Sequence, residues 1–398
     1  MRISTANAYD TTVEQLTQRQ SALSDAQLRL TSGKRVTRAS DDPISAARAE
    51  RALASVSRAT ASQRSVEASR LAMTQIEGAL GSAGELLQSV RDAIVNGGNA
   101  SYGDSQRKML ADQIRGLRSQ LLGLANSKDG AGGHLFGGQG SIAPPFLDAA
   151  GGVQYVGARG ETSAGGPEGL PMTMDGAAVW MSAPTGNGVF ETRSLASNGS
   201  AWIDAGRVTD PAAVTGSTYR LQFATAGGGT TYSLLKDGAP TALTNIAFVS
   251  GQAIQFDGMA VTVNGAPTAG DAFEIAPSNP TLTVFDVLDQ AAYALATPMP
   301  GSGAKAQATA QGLRDIDSVL ARLSGARATA GEALNRIDST AAQLDSAILS
   351  AKTERSAAED LDMPSAISDF QSRQTSYDAA LKTYASVQRL SLFDYIRP

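Results

Sequence analysis

The 398-residue chain has no cysteine and a single histidine, His134. Disulfides, thiolate nucleophiles and Cys-type zinc sites are therefore excluded, and one imidazole cannot build a His-rich metal site or an acid–base pair of histidines. No apolar run approaches the roughly 18 residues that a membrane-spanning helix requires. The sequence predicts a protein that is no enzyme, uses no cofactor or metal, and has no membrane span.

The chain also has no strong excess of either charge. Its 33 basic and 38 acidic residues leave a formal charge of −5, which does not favour binding to nucleic acid. The N-terminal residues show no apolar core of a secretory signal, so we expect any export to follow another route.

Proline and glycine are scarce at both ends of the chain and abundant in its middle. Twelve of the 15 prolines lie between Pro144 and Pro300, and 29 of the 41 glycines lie between Gly130 and Gly303. The flanks are therefore free to form long helices, whereas the middle must be built differently. The acidity belongs to the middle as well, since residues 151–300 carry a formal charge of −7.

Apolar residues spaced by three, four or seven positions mark helices in both flanks. A thin seam near each end predicts a helix that needs a partner for burial. The seam residues, which we predict to mediate subunit assembly, are Tyr9, Leu16, Leu23 and Leu30 at the start, and Tyr377, Leu381, Tyr384 and Leu390 at the end. Between the seams, fuller alternations near 73–94, 110–124 and 313–348 predict the helices of a bundle, with the helices of 73–94 and 110–124 able to pack as an antiparallel pair.

A short segment after Leu30 combines the signals that end one helix and begin the next. Gly33 is suited to a helix C-terminus. Asp41 and Asp42 offer side-chain acceptors to free N–H groups, and Pro43 fits the first turn of the following helix. We therefore interpret these four residues as a helix cap and turn rather than as a carboxylate site.

The middle of the chain alternates with period two, for example over 219–223, 253–256 and 260–263. Asp237-Gly238, Asp257-Gly258 and Asn264-Gly265 stand at hairpin positions, so we predict a β domain. The predicted fold class is α+β: a long antiparallel helical bundle or coiled coil built from both chain ends, with an inserted β-rich domain.

This pattern predicts three parts. The first comprises terminal assembly helices in 1–42 and 363–398, disordered in the monomer. The second is a bundle domain of 43–141 with 283–362, and the third is an outer β-rich domain of 142–282.

Two other motifs have ordinary structural explanations. Ser32-Gly33-Lys34 lacks the first glycine and the final Ser or Thr of a phosphate-binding loop. The basic residues Lys34, Arg35, Arg38, Arg48 and Arg51 have no aromatic residues among them, as stacking on bases would require. We interpret them as a basic stripe that faces an acidic partner subunit.

Three stretches together resemble the hook-associated proteins of the bacterial flagellin family, of the hook-filament junction type. The first combines Arg2-Ile-Ser-Thr5, the N-terminal seam, the segment 30–36 and Ser40-Asp-Asp-Pro43. The second runs from Gly116 to Phe146 and includes Asn126. The third is the C-terminal seam with Tyr395. Pro364 departs from the uninterrupted helix that many members have there.

The resemblance implies a structural protein that is exported through the flagellar type III apparatus to the extracellular flagellum. The resemblance also implies four partners: copies of the chain in a ring, the other hook-associated junction protein on the hook side, flagellin on the filament side, and an export chaperone. A flagellin-type filament subunit is the alternative. An enzyme within a flagellin-like frame and a signalling coiled coil are the less favoured classes.

Overall fold

The computed structural model describes residues 5–99, 101–165, 169–226, 228–298 and 302–396. These residues combine long helices from both ends of the chain with antiparallel sheets from its middle, which confirms the predicted α+β class. The helices are α1 (Thr5–Ser32), α2 (Pro43–Gly97), α3 (Asp104–Ala125), α4 (Gly176–Trp180), α5 (Val284–Ala296), α6 (Ser302–Glu359) and α7 (Met363–Ile396).

The chain packs as two compact units, 1–64 with 340–398 and 65–339. We call the first the terminal unit and the second the central unit. Both α2 and α6 contribute residues to each unit. The three-part division predicted from the sequence is a different partition and stays a prediction.

The buried side chains of the terminal unit are small. Among its described residues they are Ala26, Val36, Ala49, Ala52, Ala59, Thr340, Ala351 and Ala358. Burial contributes about 0.8 kcal/mol per CH₂ group, so an alanine contributes much less than a leucine. The terminal unit therefore has little hydrophobic stabilisation of its own.

The central unit has a conventional core along its long helices. The predicted register of α2 is buried throughout, including Ile76 and Leu87 at 0% exposure. In this unit α6 runs antiparallel to α2, because Arg70 pairs with Asp338 at 2.9 Å and Arg91 pairs with Asp317 at 2.9 Å. Ion pairs between α2 and α6 thus flank the row of buried leucine and isoleucine side chains.

Helix α3 lies against α5, so its main helical contact differs from the pairing with α2 that the sequence suggested. Arg118 of α3 connects three elements. Its guanidinium forms a bidentate pair with Asp148 at 2.7 and 2.8 Å, and its Nε lies 2.8 Å from Asp289 of α5. Asp148 and, more weakly, Asp289 raise the pKa of Arg118, so the guanidinium stays charged.

An aromatic cluster closes the same region. The rings of Phe146 and Trp180 lie 5.9 and 6.2 Å from the ring of Phe285 on α5. Asn126, just after α3, holds Phe146 in place: its Nδ2 donates to the Phe146 carbonyl and its Oδ1 accepts from the Phe146 N–H, both at 2.9 Å. The segment after α3 therefore belongs to the packing of the helices.

The strands are β1 (Phe146–Ala149), β2 (Gly152–Tyr155), β3 (Phe190–Ala196), β4 (Trp202–Ile203), β5 (Arg207–Val208), β6 (Tyr219–Ala226), β7 (Gly229–Lys236), β8 (Ala239–Pro240), β9 (Ile246–Ala247), β10 (Ala253–Phe256), β11 (Met259–Asn264) and β12 (Ala272–Pro277). They form a two-stranded sheet of β1 and β2, a sheet in the order β10-β11-β4 with β5 beside β11, and a sheet in the order β3-β12-β6-β7-β8 with β9 beside β7. Every pairing between these strands is antiparallel.

Two of the three predicted hairpin turns are present. Asp237-Gly238 joins β7 to β8 and Asp257-Gly258 joins β10 to β11, with positive φ at all four residues, as a type I′ turn requires. The prediction for Asn264-Gly265 was wrong, because β11 and β12 lie in different sheets. After Asn264-Gly265 the chain leaves the sheet that contains β11 and enters the sheet that contains β12, so the two strands do not pair as a hairpin.

The chain enters and leaves the β domain at a narrow neck, and α6 also binds the domain, since the Ile203 N–H donates to Gln307 Oε1 at 2.9 Å and Arg314 donates to the Thr192 hydroxyl and carbonyl. Ala183 and Leu282 exchange backbone hydrogen bonds at 2.9 and 3.0 Å, and the Ser278 N–H donates to the Val189 carbonyl at 3.0 Å. The core of the larger sheets draws on residues from Phe190 to Ile275. Phe146 and Trp180, which precede the neck in the sequence, pack on Phe285 of α5, and the predicted boundaries at 142 and 282 stay a prediction.

This neck predicts that the β domain can be removed. Replacing residues 190–277 with a short Gly/Ser linker should preserve the helical circular dichroism signal, because the chain enters and leaves the domain side by side. Removing 142–282 should instead unfold the central unit, since Phe146 and Trp180 are lost with it. Equal loss of helix in both deletions would contradict this boundary.

A polar cavity of about 280 Å³ lies where β3 meets α6 and α5. Asp315 on its wall is 7% exposed. Burial raises the pKa of the Asp315 carboxyl, Arg314 opposes that increase, and Glu191 adds to it. The folded protein therefore retains a proton at a pH where the unfolded chain, with an aspartate pKa of about 3.9, has released it.

The free energy of unfolding should consequently contain a contribution that falls as pH rises from about 3.9 through the raised pKa of Asp315. Asp315→Asn should remove this contribution and be the more stable form near pH 7. The measurement is urea unfolding, followed by tryptophan fluorescence, between pH 4 and 8. Asp317→Asn, which alters an exposed carboxylate two residues away, is the control, and an unchanged difference between wild type and Asp315→Asn across this range would refute the assignment.

Candidate assembly site at the paired chain ends

The two terminal helices lie against one another within the terminal unit. Helix α1 packs along α7, and Arg19 Nη1 donates to the Ser376 carbonyl at 3.3 Å. The predicted N-terminal seam faces this contact only in part, since Leu16, Leu23 and Leu30 are all half-buried. Their apolar surface is available for further contacts.

The C-terminal seam has the same character. Tyr377 and Tyr384 are half-buried and Leu381 is 40% exposed. The side chains of Tyr9 and Leu390, the outer members of the two seams, lie outside the described residues. The structure thus brings the two seams onto one pair of helices. Disorder of these helices in the free monomer stays a prediction.

This helix pair leaves large apolar side chains in contact with solvent. In α1 only Ala26 is buried among residues 10–32, and in α7 no side chain is buried among residues 363–386. Five apolar side chains of the pair are between 38% and 45% exposed: Val13, Leu28, Met363, Ile367 and Leu381. Such a surface is typical of a helix pair that is completed by other chains.

The segment between α1 and α2 contacts the segment between α6 and α7. We call residues 33–35 with 358–361 the joint. The Arg35 N–H donates to the Glu359 carbonyl at 2.7 Å and the Leu361 N–H donates to the Gly33 carbonyl at 3.0 Å. Lys34 and Asp360 thereby pair as an antiparallel bridge. Two segments more than 300 residues apart in sequence are fixed in register by backbone hydrogen bonds.

Charged side chains reinforce the joint. Lys34 Nζ lies 3.1 Å from one oxygen of Glu359, and Arg355 Nε lies 2.7 Å from the other. The Arg35 guanidinium donates to the Ala358 carbonyl at 2.8 Å and to Asp42 at 3.2 Å. The contact with Glu359 gives Lys34 a structural role at the joint.

The four residues predicted as a cap and turn lie beside this joint. Gly33 ends α1 with φ of +67°, a conformation that favours glycine. Asp42 caps α2, whose first residue is Pro43, through the Ser45 N–H at 3.0 Å; the Ser45 hydroxyl and N–H lower the pKa of Asp42 to about 2, and Arg35 adds to this. Asp41 instead accepts from Thr37 and Arg38 in the preceding turn.

The C-terminal half of the joint was not among the predicted site residues. Glu359, Asp360 and Leu361 carry no motif, and only the neighbouring Pro364 signals a break. That break is real: α6 ends at Glu359, and α7 begins at Met363 with Asp362 accepting from the Ser365 hydroxyl at 2.7 Å. Pro364 was therefore the sequence signal from which a contact partner of the turn at Gly33 could have been predicted.

The helix pair exposes apolar side chains, and Lys34 and Glu359 of the joint are engaged in ion pairs. Among the described residues no cluster of three His, Cys, Asp or Glu side chains could hold a metal ion. Within the same residues no helix is both long and apolar enough to cross a membrane. His134 lies in the central unit, buried, with its Nδ1 3.2 Å from the Ser141 carbonyl oxygen, which agrees with a local structural role.

Comparison with protein families assigns both flanks and part of the middle. The model for the bacterial flagellin N-terminal helical region matches residues 3–141, and that for the bacterial flagellin C-terminal helical region matches 313–396. The D2-like domain of flagellar hook-associated protein 1 matches 193–277, which coincides with the β domain beyond the neck.

Whole-length relatives point in the same direction. The chain is 26% identical to flagellar hook-associated protein 3 of Salmonella typhimurium over 405 aligned positions, with 100% of each chain covered. The Escherichia coli protein of the same name is also 26% identical, with 99% of each chain covered.

Solved structures share the fold. The crystal structure of the flagellar junction protein FlgL from Legionella pneumophila is 29% identical, with a TM-score of 0.63 over 70% of this chain and 94% of that chain. Xanthomonas campestris FlgL is 28% identical, with a TM-score of 0.67 over 77% of this chain and 99% of that chain. With flagellin helical regions at both ends and whole-length similarity to hook-associated protein 3, the chain belongs to the flagellin family, in the hook-associated branch that the FlgL proteins represent.

Proposed function

We propose that the protein is a structural component of the bacterial flagellum that joins the hook to the filament and serves as an adaptor for flagellin polymerisation. The observation that carries the proposal is the helix pair α1–α7, which leaves apolar side chains exposed above a core of small residues. Such a pair gains burial when copies of the chain pack side by side. Its role is mechanical, and no reaction is involved.

Further partners follow from the same proposal. Copies of the chain form a ring, the other hook-associated junction protein adjoins it on the hook side, and flagellin adjoins it on the filament side. Export through the flagellar type III apparatus brings the chain to the outside of the cell, with an export chaperone shielding the exposed terminal helices before assembly. The small cores of the terminal unit support such a route, because little stability opposes unfolding there.

The alternative is a flagellin-type filament subunit, which shares both helical regions. Coverage of hook-associated protein 3 over its entire length favours the junction. The test is gold labelling of an epitope-tagged chain on isolated flagella. A single band at the hook end is expected, whereas label along the whole filament would establish the alternative.

The division between the two units gives a second test. Leu23→Asp and Tyr384→Asp place a charge in surfaces that the monomer leaves half-exposed, so the melting temperature of the purified protein should change by less than about 2 °C. Hooks in cells carrying either variant should lack filaments, because the charge becomes buried on assembly.

Ile337→Asp is the matched control. Ile337 is 0% exposed in the central unit, and a buried charge there should cost several kcal/mol, about 10 °C or more in melting temperature. Similar melting losses for all three variants would show that the seams belong to the monomer core and would remove the basis of the proposal.

A further inference from the structure

Helix α2 carries three exposed arginines on one face of the terminal unit. Arg48, Arg51 and Arg58 are separated by three and seven positions, which places them on one side of a helix. We call them the arginine stripe. The ion pairs of the described part of this unit involve other residues, and the only hydrogen bond of the stripe runs from Arg51 Nε to the Ala47 carbonyl at 3.2 Å.

Helix α1 carries the opposite charge in a similar pattern. Asp10, Glu14 and Asp25, the acidic stripe, are exposed and separated by four and eleven positions, again on one side of a helix. No described basic side chain forms an ion pair with them. Several other acidic residues of the unit are engaged locally, such as Asp362 with Ser365 and Asp369 with Arg373.

Neither stripe is favourable in an isolated helix. Like charges three or four positions apart repel each other and weaken the helix slightly. Because the described residues of the same chain form no ion pair with either stripe, a partner of opposite charge would add contacts that the monomer lacks. At 1.5 Å per residue the arginine stripe spans about 15 Å from Arg48 to Arg58 and the acidic stripe about 22 Å from Asp10 to Asp25, so the acidic stripe is long enough to lie along the whole arginine stripe.

We propose that the arginine stripe of one copy docks on the acidic stripe of a second copy of this chain. Each copy has one stripe of each sign, so the contact is heterologous and repeats around a closed ring. Exposed charges at such a contact set its register and speed association more than they strengthen it. The inference rests on the self-assembly proposed above and adds the surface that orients neighbouring copies.

Because the chain has no cysteine, the contact can be tested by introducing one pair of thiols. Ser55 lies on the arginine stripe between Arg51 and Arg58, and Ser21 lies on the acidic stripe between Glu14 and Asp25. Flagella carrying Ser21→Cys with Ser55→Cys should give a ladder of covalent multimers with a short bismaleimide. Ser21→Cys with Ser57→Cys, which places the second thiol away from the stripe on the same helix, is the control.

A charge swap gives a second readout. Arg51→Glu with Arg58→Glu should reduce the number of filament-bearing hooks about tenfold, as should Glu14→Arg with Asp25→Arg, since each opposes like charges. The chain with all four substitutions should recover filaments, and the melting temperature should be unchanged in every variant.

The outcomes separate this inference from the proposal on which it rests. Protein present in flagella with no multimers above the Ser57→Cys control, or with no recovery by the fourfold charge swap, overturns the docking of the two stripes and leaves the junction role intact. Absence of the unmodified protein from isolated flagella overturns the junction role and this contact with it.

Discussion

The small size of the buried side chains in the terminal unit is the constraint on which the rest of the structure depends. Alanine methyl groups remove little apolar surface from water, so the terminal unit cannot hold two long helices firmly by itself. The central unit compensates with leucine, isoleucine and aromatic residues buried between α2, α5 and α6. The hydrophobic stabilisation of the folded monomer and the assembly surface that we propose are therefore located in different parts of one chain.

The joint shows how order is kept where hydrophobic burial is weak. Backbone hydrogen bonds and ion pairs are directional, so they fix the register of segments 33–35 and 358–361 without a large core. Glu359 is central because it accepts from both Lys34 and Arg355. Its ion pairs are partly exposed and contribute modestly to stability, but they define which residues of the two chain ends face each other.

Sequence periodicity predicted much of this architecture for a physical reason. A helix that buries one side repeats every three to four residues, so the registers around Ile76 and Ile337 were visible without a structure. Local chemistry likewise predicted the caps at Asp42 and Pro43. Features that depend on contacts between distant parts of the chain could not be predicted from the sequence. They are the bridge from Lys34 to Asp360, the packing of α3 on α5, and the failure of Asn264-Gly265 to form a hairpin.

The boundary of the β domain illustrates the same limit and its consequence for function. Glycine and proline content changes near 142, whereas Phe146 and Trp180, which follow that point in the sequence, pack on Phe285 of α5. The backbone hydrogen bonds at the neck do not depend on particular side chains, while Gln307 and Arg314 of α6 bind the domain at Ile203 and Thr192. The sequence of the domain can therefore vary away from these contacts without disturbing the helices. This agrees with helical regions that match flagellin and a middle that matches a hook-associated protein.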